Sequence, residues 1–399
     1  MRSYVIHLLK RYIPVYAVTG AILFSLFLSL VVNNEAAYSW NITMDGSRYY
    51  RSAPSSDLLV FFIPLALLSI IAPLFANTYR YSIKSVDVFY QVGKGDKKIR
   101  YLNNLVLWIG IVVIYTVLFL TSMLMLFIKQ LPLAGQTVTT ERAEYHYIMF
   151  NFGYYILAYL LLVIFSSLNY FISCYLVTRS NNLVNSMLTL YLGELLLIAL
   201  LMTPFWYVYA IITRLGHYDI YNANFVFGAR TLSIVSPVSW LYYLFDPLIV
   251  GKEITMDNRD QTKVSLALGI VFLALFVILS IVCIFAFFKE KESSGEYAGK
   301  PAGRDKLQSI IFHTAFALIA LWLGFGYSIF SSFVYGIINY ISLITTFVVF
   351  GALYYVFTGL INRNFKLNKK QLILYFSVMG IYVVSAVVNI VVSVIASNH

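Results

Sequence analysis

The chain has 399 residues, is 60% hydrophobic and only 11% charged, and has a mean hydropathy of +0.80. That balance excludes an ordinary water-soluble domain and predicts an all-α integral membrane protein. The net charge of +11 reads as the basic excess that membrane proteins hold against anionic lipid, not as a nucleic-acid footprint.

In chain order, residues 1–11 come first. Tyr4, Val5, Leu8, Leu9 and Tyr12 recur at helical spacing among Arg2, Lys10 and Arg11, which predicts a short amphipathic helix lying in the membrane interface. The apolar run that follows is too long for a signal h-region and supplies a first span at 12–32. A second span at 57–78 contains Pro64 and Pro73, which favour bends. The loop 78–101 then places Ile83, Val86, Phe89 and Tyr90 on one helical face, with Lys84, Asp87 and Gln91 on others. Gly93-Lys94-Gly95-Asp96 breaks the pattern. From these residues alone the short helix is either a docking element for a soluble partner or a segment resting on lipid.

Further spans are predicted at 103–128, 149–178 and 183–213. Residues 214–263 follow, and within them the stretch 225–250 carries Trp240, Tyr242, Tyr243, Pro237 and Pro247. It is too broken to cross and suits an outer re-entrant or interfacial position. A sixth span at 264–288 precedes a basic linker, 289–306. The run 307–399 holds three additional helices, at 309–329, 336–359 and 371–395. Gly324, Gly326 and Gly336 mark the turn between the first two of these. Nine transmembrane helices result, because a bilayer core takes about 20 apolar residues per helix.

Charge orients them. The segments 1–11, 78–101, 179–182, 289–306 and 361–370 carry 19 Lys/Arg and 6 acids, and the alternate connections carry 9 Lys/Arg and 10 acids. Basic connections stay cytoplasmic, so the N-terminus is expected inside and the C-terminus outside.

Catalytic patterns are missing from the sequence. The five histidines have no metal-ligand spacing, and Cys174 and Cys283 both fall inside spans. Gly93-Lys94 and Gly299-Lys300 lack the spacing of a phosphate-binding loop. No enzyme activity and no cofactor are expected of the chain itself. One acid, Glu194, lies within a span. An unpaired carboxylate there costs roughly 2.5–3.5 kcal/mol or more. Glu194 is therefore either a protonated hydrogen-bond donor to a neighbouring helix or a substrate-pathway residue.

Three stretches resemble the permease subunits of ABC-2-type transporters, specifically a long branch found in Gram-positive bacteria. They are Tyr81-Ser82-Ile83-Lys84-Ser85-Val86-Asp87-Val88-Phe89-Tyr90 ahead of span three, Leu232-Ser233-Ile234-Val235-Ser236-Pro237 before the outer segment, and Glu296-Tyr297-Ala298-Gly299 after span six. The family's Leu-Pro is replaced here by Val92-Gly93, and Gly295 separates Ser294 from Glu296.

The resemblance implies a six-span ABC-2-like core over 12–288, with three further helices over 307–399. It makes loop 78–101 the coupling element, with Ile83, Ser85, Val86, Asp87, Phe89 and Tyr90 docking a cytoplasmic ABC ATPase dimer that binds the ATP. The other implied partners are a second permease copy or a homologous permease, and membrane lipid. The implied setting is the cell membrane of a bacterium, with export or translocation of an amphiphilic peptide or lipid-like substrate. Two other readings stay open at this point. One is a secondary transporter or channel working without ATP, which calls for paired intramembrane charges or an inverted repeat. The other is a membrane scaffold or sensor.

Overall fold

The computed structural model of the chain describes residues 2–33, 38–43, 48–51, 56–81, 96–132, 137–139, 143–148, 152–179, 182–197, 259–289, 306–324, 340–362 and 364–397. Among them are nine α-helices: α1 (Arg2–Asn33), α2 (Ser56–Ala76), α3 (Asp96–Gln130), α4 (Phe152–Val177), α5 (Leu183–Leu197), α6 (Arg259–Lys289), α7 (Lys306–Gly324), α8 (Tyr340–Asn362) and α9 (Lys369–Ser397). Five carry a stretch long and apolar enough to cross a membrane: Ser3–Val32, Arg100–Lys129, Tyr155–Val177, Leu343–Asn362 and Lys369–Val391. Polar connections hold four short strands, β1 (Tyr38–Thr43), β2 (Arg48–Arg51), β3 (Thr137–Thr139) and β4 (Ala143–Ile148).

These findings change two expectations. The first is that the chain is all α. That holds for the apolar segments, but the polar connections flanking α2 and α4 pair into an antiparallel sheet of order β2-β1-β4-β3. In it Trp40 stands opposite Tyr50 on one side and His146 on the other. The second is a separate interfacial helix at 1–11. Instead α1 runs without a break from Arg2 to Asn33, with Pro14 inside it. A proline removes one backbone donor, and a long membrane helix tolerates that loss. Tyr4, Leu8 and Tyr12, one turn apart, are buried, while Ile6, Leu9 and Ile13 are exposed.

One compact unit comprises Met1–Asn77, Gly93–Cys174 and Val235–Glu290. In it α3 is the central helix. Its buried positions Arg100, Asn103, Asn104, Leu107, Trp108, Ile111, Tyr115, Phe119, Ser122 and Leu126 follow a 3.6-residue period, and Ile109, Val113, Val117 and Leu124 face outward. The outward faces of α1 and α4 are apolar too, through Val18, Ile22, Ile156 and Ile164. The buried polar side chains sit inside among apolar ones, and the outward faces carry large aliphatics, the arrangement a lipid solvent favours.

Contacts at both ends set the helix directions. At one end Tyr4 of α1 meets Asn103 of α3. At the other, Lys129 Nζ donates to the carbonyls of Val31 and Val32 at 3.0 and 3.3 Å, so α1 and α3 run parallel. A cation at the last carbonyls of a helix complements its dipole. The C-terminal ends of α2, α4 and α6 meet the start of α3 through Asn77, Cys174 and Phe287, so these three helices run the opposite way. The sheet connects the C-terminal ends of α1 and α3 to the starts of α2 and α4. It therefore lies at one end of this unit, and the Asn-rich contacts lie at the other.

The second unit comprises Thr78–Val92, Tyr175–Ile234 and Lys291–His399. Within it α7, α8 and α9 are joined by hydrogen bonds from side chains to backbone. Ser385 Oγ donates to Leu321 O at 2.7 Å, Tyr382 OH to Leu343 O at 2.8 Å and Tyr375 OH to Gly351 O at 3.1 Å. Aromatic rings of Phe312, Phe316, Phe350 and Tyr354 fill the space between α7 and α8. At Gly324 a Cβ would stand 2.5 Å from Tyr382 O, so only glycine permits this approach of α7 to α9.

Candidate functional site

The strongest chemistry among the described residues is a buried amide-and-hydroxyl hub where α2 and α4 end and α3 begins. Asn104, 1% exposed, is its centre. Its Oδ1 accepts from Asn77 Nδ2 at 3.2 Å, Tyr170 OH at 3.2 Å and Cys174 Sγ at 3.1 Å. Its Nδ2 donates to Arg100 O at 2.8 Å, and its own carbonyl accepts from Tyr170 OH at 2.8 Å. Asn77 also donates to Pro73 O, through Nδ2 at 2.7 Å and through its backbone N–H at 3.1 Å. Tyr4 OH donates to Asn103 Oδ1 at 3.0 Å.

Side-chain spacing explains the gathering. Ser166, Asn169, Tyr170, Ser173 and Cys174 form one stripe on α4 at intervals of three and four, and all five are buried. Arg100, Asn103 and Asn104 form the matching stripe on α3, with Ser69 on α2 and Asn77 just past its end. Asn169 Nδ2 donates to Ser69 Oγ at 3.0 Å, and Ser69 Oγ donates to Ala66 O at 2.6 Å. Trp108 stacks on Tyr170 with centroids 4.5 Å apart and donates through Nε1 to Ser167 Oγ at 2.9 Å. These rings close the hub on the side toward the sheet.

Arg100 borders the hub and is 1% exposed. Its Nη2 donates to Phe287 O at 3.4 Å, and the guanidinium lies over the rings of Phe287 and Tyr101, 5.0 and 5.3 Å from their centroids. A guanidinium is better suited than an ammonium to such stacking. Tyr101 OH donates to Phe288 O at 3.1 Å, so the start of α3 is fastened to the last carbonyls of α6.

Glu194 is on α5, in the second unit, and is 4% exposed. It shares the buried face with Asn185, Ser186, Thr189, Leu190 and Leu197, while Leu183, Val184, Met187 and Tyr191 are exposed. The neighbouring Gly193 lies against Leu176, where an added Cβ would fall 2.6 Å from Leu176 Cδ1. Ser186 Oγ donates to Val177 O at 3.5 Å. Glu194 therefore lies on the buried face of α5, whose Gly193 and Ser186 pack against Leu176 and Val177. Ile83, Ser85, Val86, Asp87, Phe89 and Tyr90 of the expected docking helix lie outside the described residues, as does the segment 225–250. Asn77 lies just before the predicted loop 78–101 and Asn104 just after it, and the structure brings the two into contact.

The hub escaped the sequence reading because that reading counted charges, and amides carry none. Its signal was present: Ser166, Asn169, Ser173 at intervals of three and four, and the pair Asn103-Asn104 opening an apolar run. No group of three or more His, Cys, Asp or Glu that could hold a metal occurs among the described residues. No family model, no curated protein and no solved structure matches the chain.

Proposed function

We propose that the chain is the membrane-spanning permease subunit of an ABC-2-type transporter in the bacterial cell membrane. In this reading all nine helices cross the bilayer. Loop 78–101 is cytoplasmic and docks a separate ABC ATPase dimer, and two permeases, identical or homologous, form the translocation route. The substrate is an amphiphile such as a peptide or a lipid-like compound, and Glu194 faces its path. Support comes from the basic bias of alternate connections, the alternating directions of α1, α2, α3 and α4, and the local resemblance around residues 81–90, 232–237 and 296–299.

One observation carries the mechanism. Asn77 and Asn104, at the two roots of loop 78–101, are in direct hydrogen bond at 3.2 Å inside a hub shared with α4. A push on the loop would be delivered to three helices together rather than absorbed at a flexible joint. Coupling between sites needs such a contiguous, packed route or an equivalent two-state element.

The test is ATPase pull-down with a transport assay on the full complex. Losing one well-buried aromatic anchor at an interface costs about 2 kcal/mol, roughly a 30-fold loss of affinity. Phe89→Ala and Val86→Asp should release the ATPase or uncouple transport while insertion is retained, and Lys84→Ala should change little. Normal binding and transport by both apolar-face variants would refute the docking role.

A further inference from the structure

Five buried side-chain atoms around the hub have no hydrogen-bond partner among the described residues: Tyr12 OH, Asn77 Oδ1, Asn103 Nδ2, Ser166 Oγ and Asn169 Oδ1. All five residues are between 0 and 2% exposed. They come from four helices of one unit, α1 to α4, and occupy positions next to bonded members of the hub. Asn103 precedes Asn104, Asn169 precedes Tyr170, and Ser166 is one turn from both Asn169 and Tyr170. From Ser166 to Cys174 the row extends about 12 Å along α4. Folded proteins pair roughly nine-tenths or more of such buried groups with protein or with ordered water, so five in one seam require a partner.

The chemistry of the five selects that partner. Asn77 Oδ1 and Asn169 Oδ1 only accept, Asn103 Nδ2 only donates, and the two hydroxyls do either. A metal cation would meet a lone amide donor, and an anion would meet two amide acceptors. A small neutral group that both donates and accepts satisfies all of them, and water is the smallest such group. Buried waters typically make about three hydrogen bonds to groups of this kind, whereas apolar interiors stay dry. We propose that α1, α2, α3 and α4 enclose a row of ordered water molecules that bridge these residues within the membrane. The inference is independent of the transport reading. It also gives the four helices exchangeable bridges beside the direct bonds of Asn104.

The experiment uses the full chain in lipid nanodiscs. Hydroxyl-radical footprinting compares Tyr12 with Tyr115, which is equally buried but set in the stacked aromatic region with Phe27, Phe119 and Tyr159. Radicals form from water, so Tyr12 should be hydroxylated about tenfold faster or more, because only it adjoins water. Separately, 2-aminoethyl methanethiosulfonate is applied to Ser166→Cys, Asn169→Cys and the buried apolar control Ala158→Cys. The first two should react about tenfold faster, since thiols in apolar surroundings are unreactive. Equal labelling of Tyr12 and Tyr115 overturns the proposal. So does equal reactivity of the three cysteines in variants that remain folded. If a cysteine variant does not fold, the footprinting of the native chain decides.

Discussion

Replacing Asn104 by leucine tests whether the hub holds the first unit together. The change preserves side-chain bulk and removes the shared acceptor of three donors from α2 and α4. Asn77 Nδ2 keeps Pro73 O at 2.7 Å and Tyr170 OH keeps the residue-104 carbonyl at 2.8 Å, so neither is stripped of every partner. The cost is therefore that of three interhelical bonds, with the weak Cys174 S–H donor the one group that loses its acceptor. Bonds of this kind in membrane proteins average about 0.6 kcal/mol, which gives roughly 2 kcal/mol, or about a 30-fold shift in the folding constant. The assay is reversible unfolding in bicelles. Ser122→Ala on the same helix is the matched control, since Ser122 Oγ bonds only to Leu118 O of its own helix at 2.8 Å. That control should stay within about 0.5 kcal/mol of the native chain. If Asn104→Leu does the same, the hub contributes nothing to holding α2, α3 and α4 together and the reasoning fails.

Orientation is checked with impermeant thiol reagents on intact cells: cysteines at Lys94 and Lys366 should be protected and one at Asn258 labelled, and labelling at Lys366 would reverse the model. Glu194→Gln should assemble normally, because the amide reproduces the shape of the protonated acid, and should lower transport of a cationic amphiphile. Unchanged transport at every pH assayed would leave Glu194 a packing residue. Gly324→Val should force α7 away from α9 and break the Ser385 bond to Leu321, costing about 1–3 kcal/mol. An unchanged melting temperature would show that the approach at Gly324 is not needed.

Long uncharged runs separated by charge clusters made the helices legible, because transfer of charge into lipid is expensive whatever the tertiary context. α3, α4, α8 and α9 follow the predicted spans closely. The single helix Arg2–Asn33 was less legible, since basic residues at a membrane edge suit both an interfacial helix and the first turns of a crossing one. The sheet was hidden for a different reason. Tyr38-Ser39-Trp40-Asn41-Ile42-Thr43 alternates with period two, a strand signal. Its partner Ala143–Ile148, however, lies beyond two helices. The hub is the same problem in three dimensions. Asn104 finds Asn77, Tyr170 and Cys174 only after α2, α3 and α4 pack, and no local pattern announces which amides will meet. Glu194 was legible as an oddity, and the inward face of α5 follows from the spacing of its polar neighbours.

The pairing of β1 with β4 has a consequence for biosynthesis. β1 is made early, and until Ala143–Ile148 is synthesised its only partner is β2, which leaves one edge bare. A bare edge is a template for wrong pairing. Because elements near the N-terminus form first during synthesis, the hairpin must wait through the synthesis of α2 and α3 until β4 follows. If α2 and α3 cross the bilayer as proposed, closure of the sheet reports that two helical hairpins have reached the same side of the membrane. A chain that misplaces α2 or α3 cannot close it, and its exposed edge would mark it for the cell's quality-control machinery.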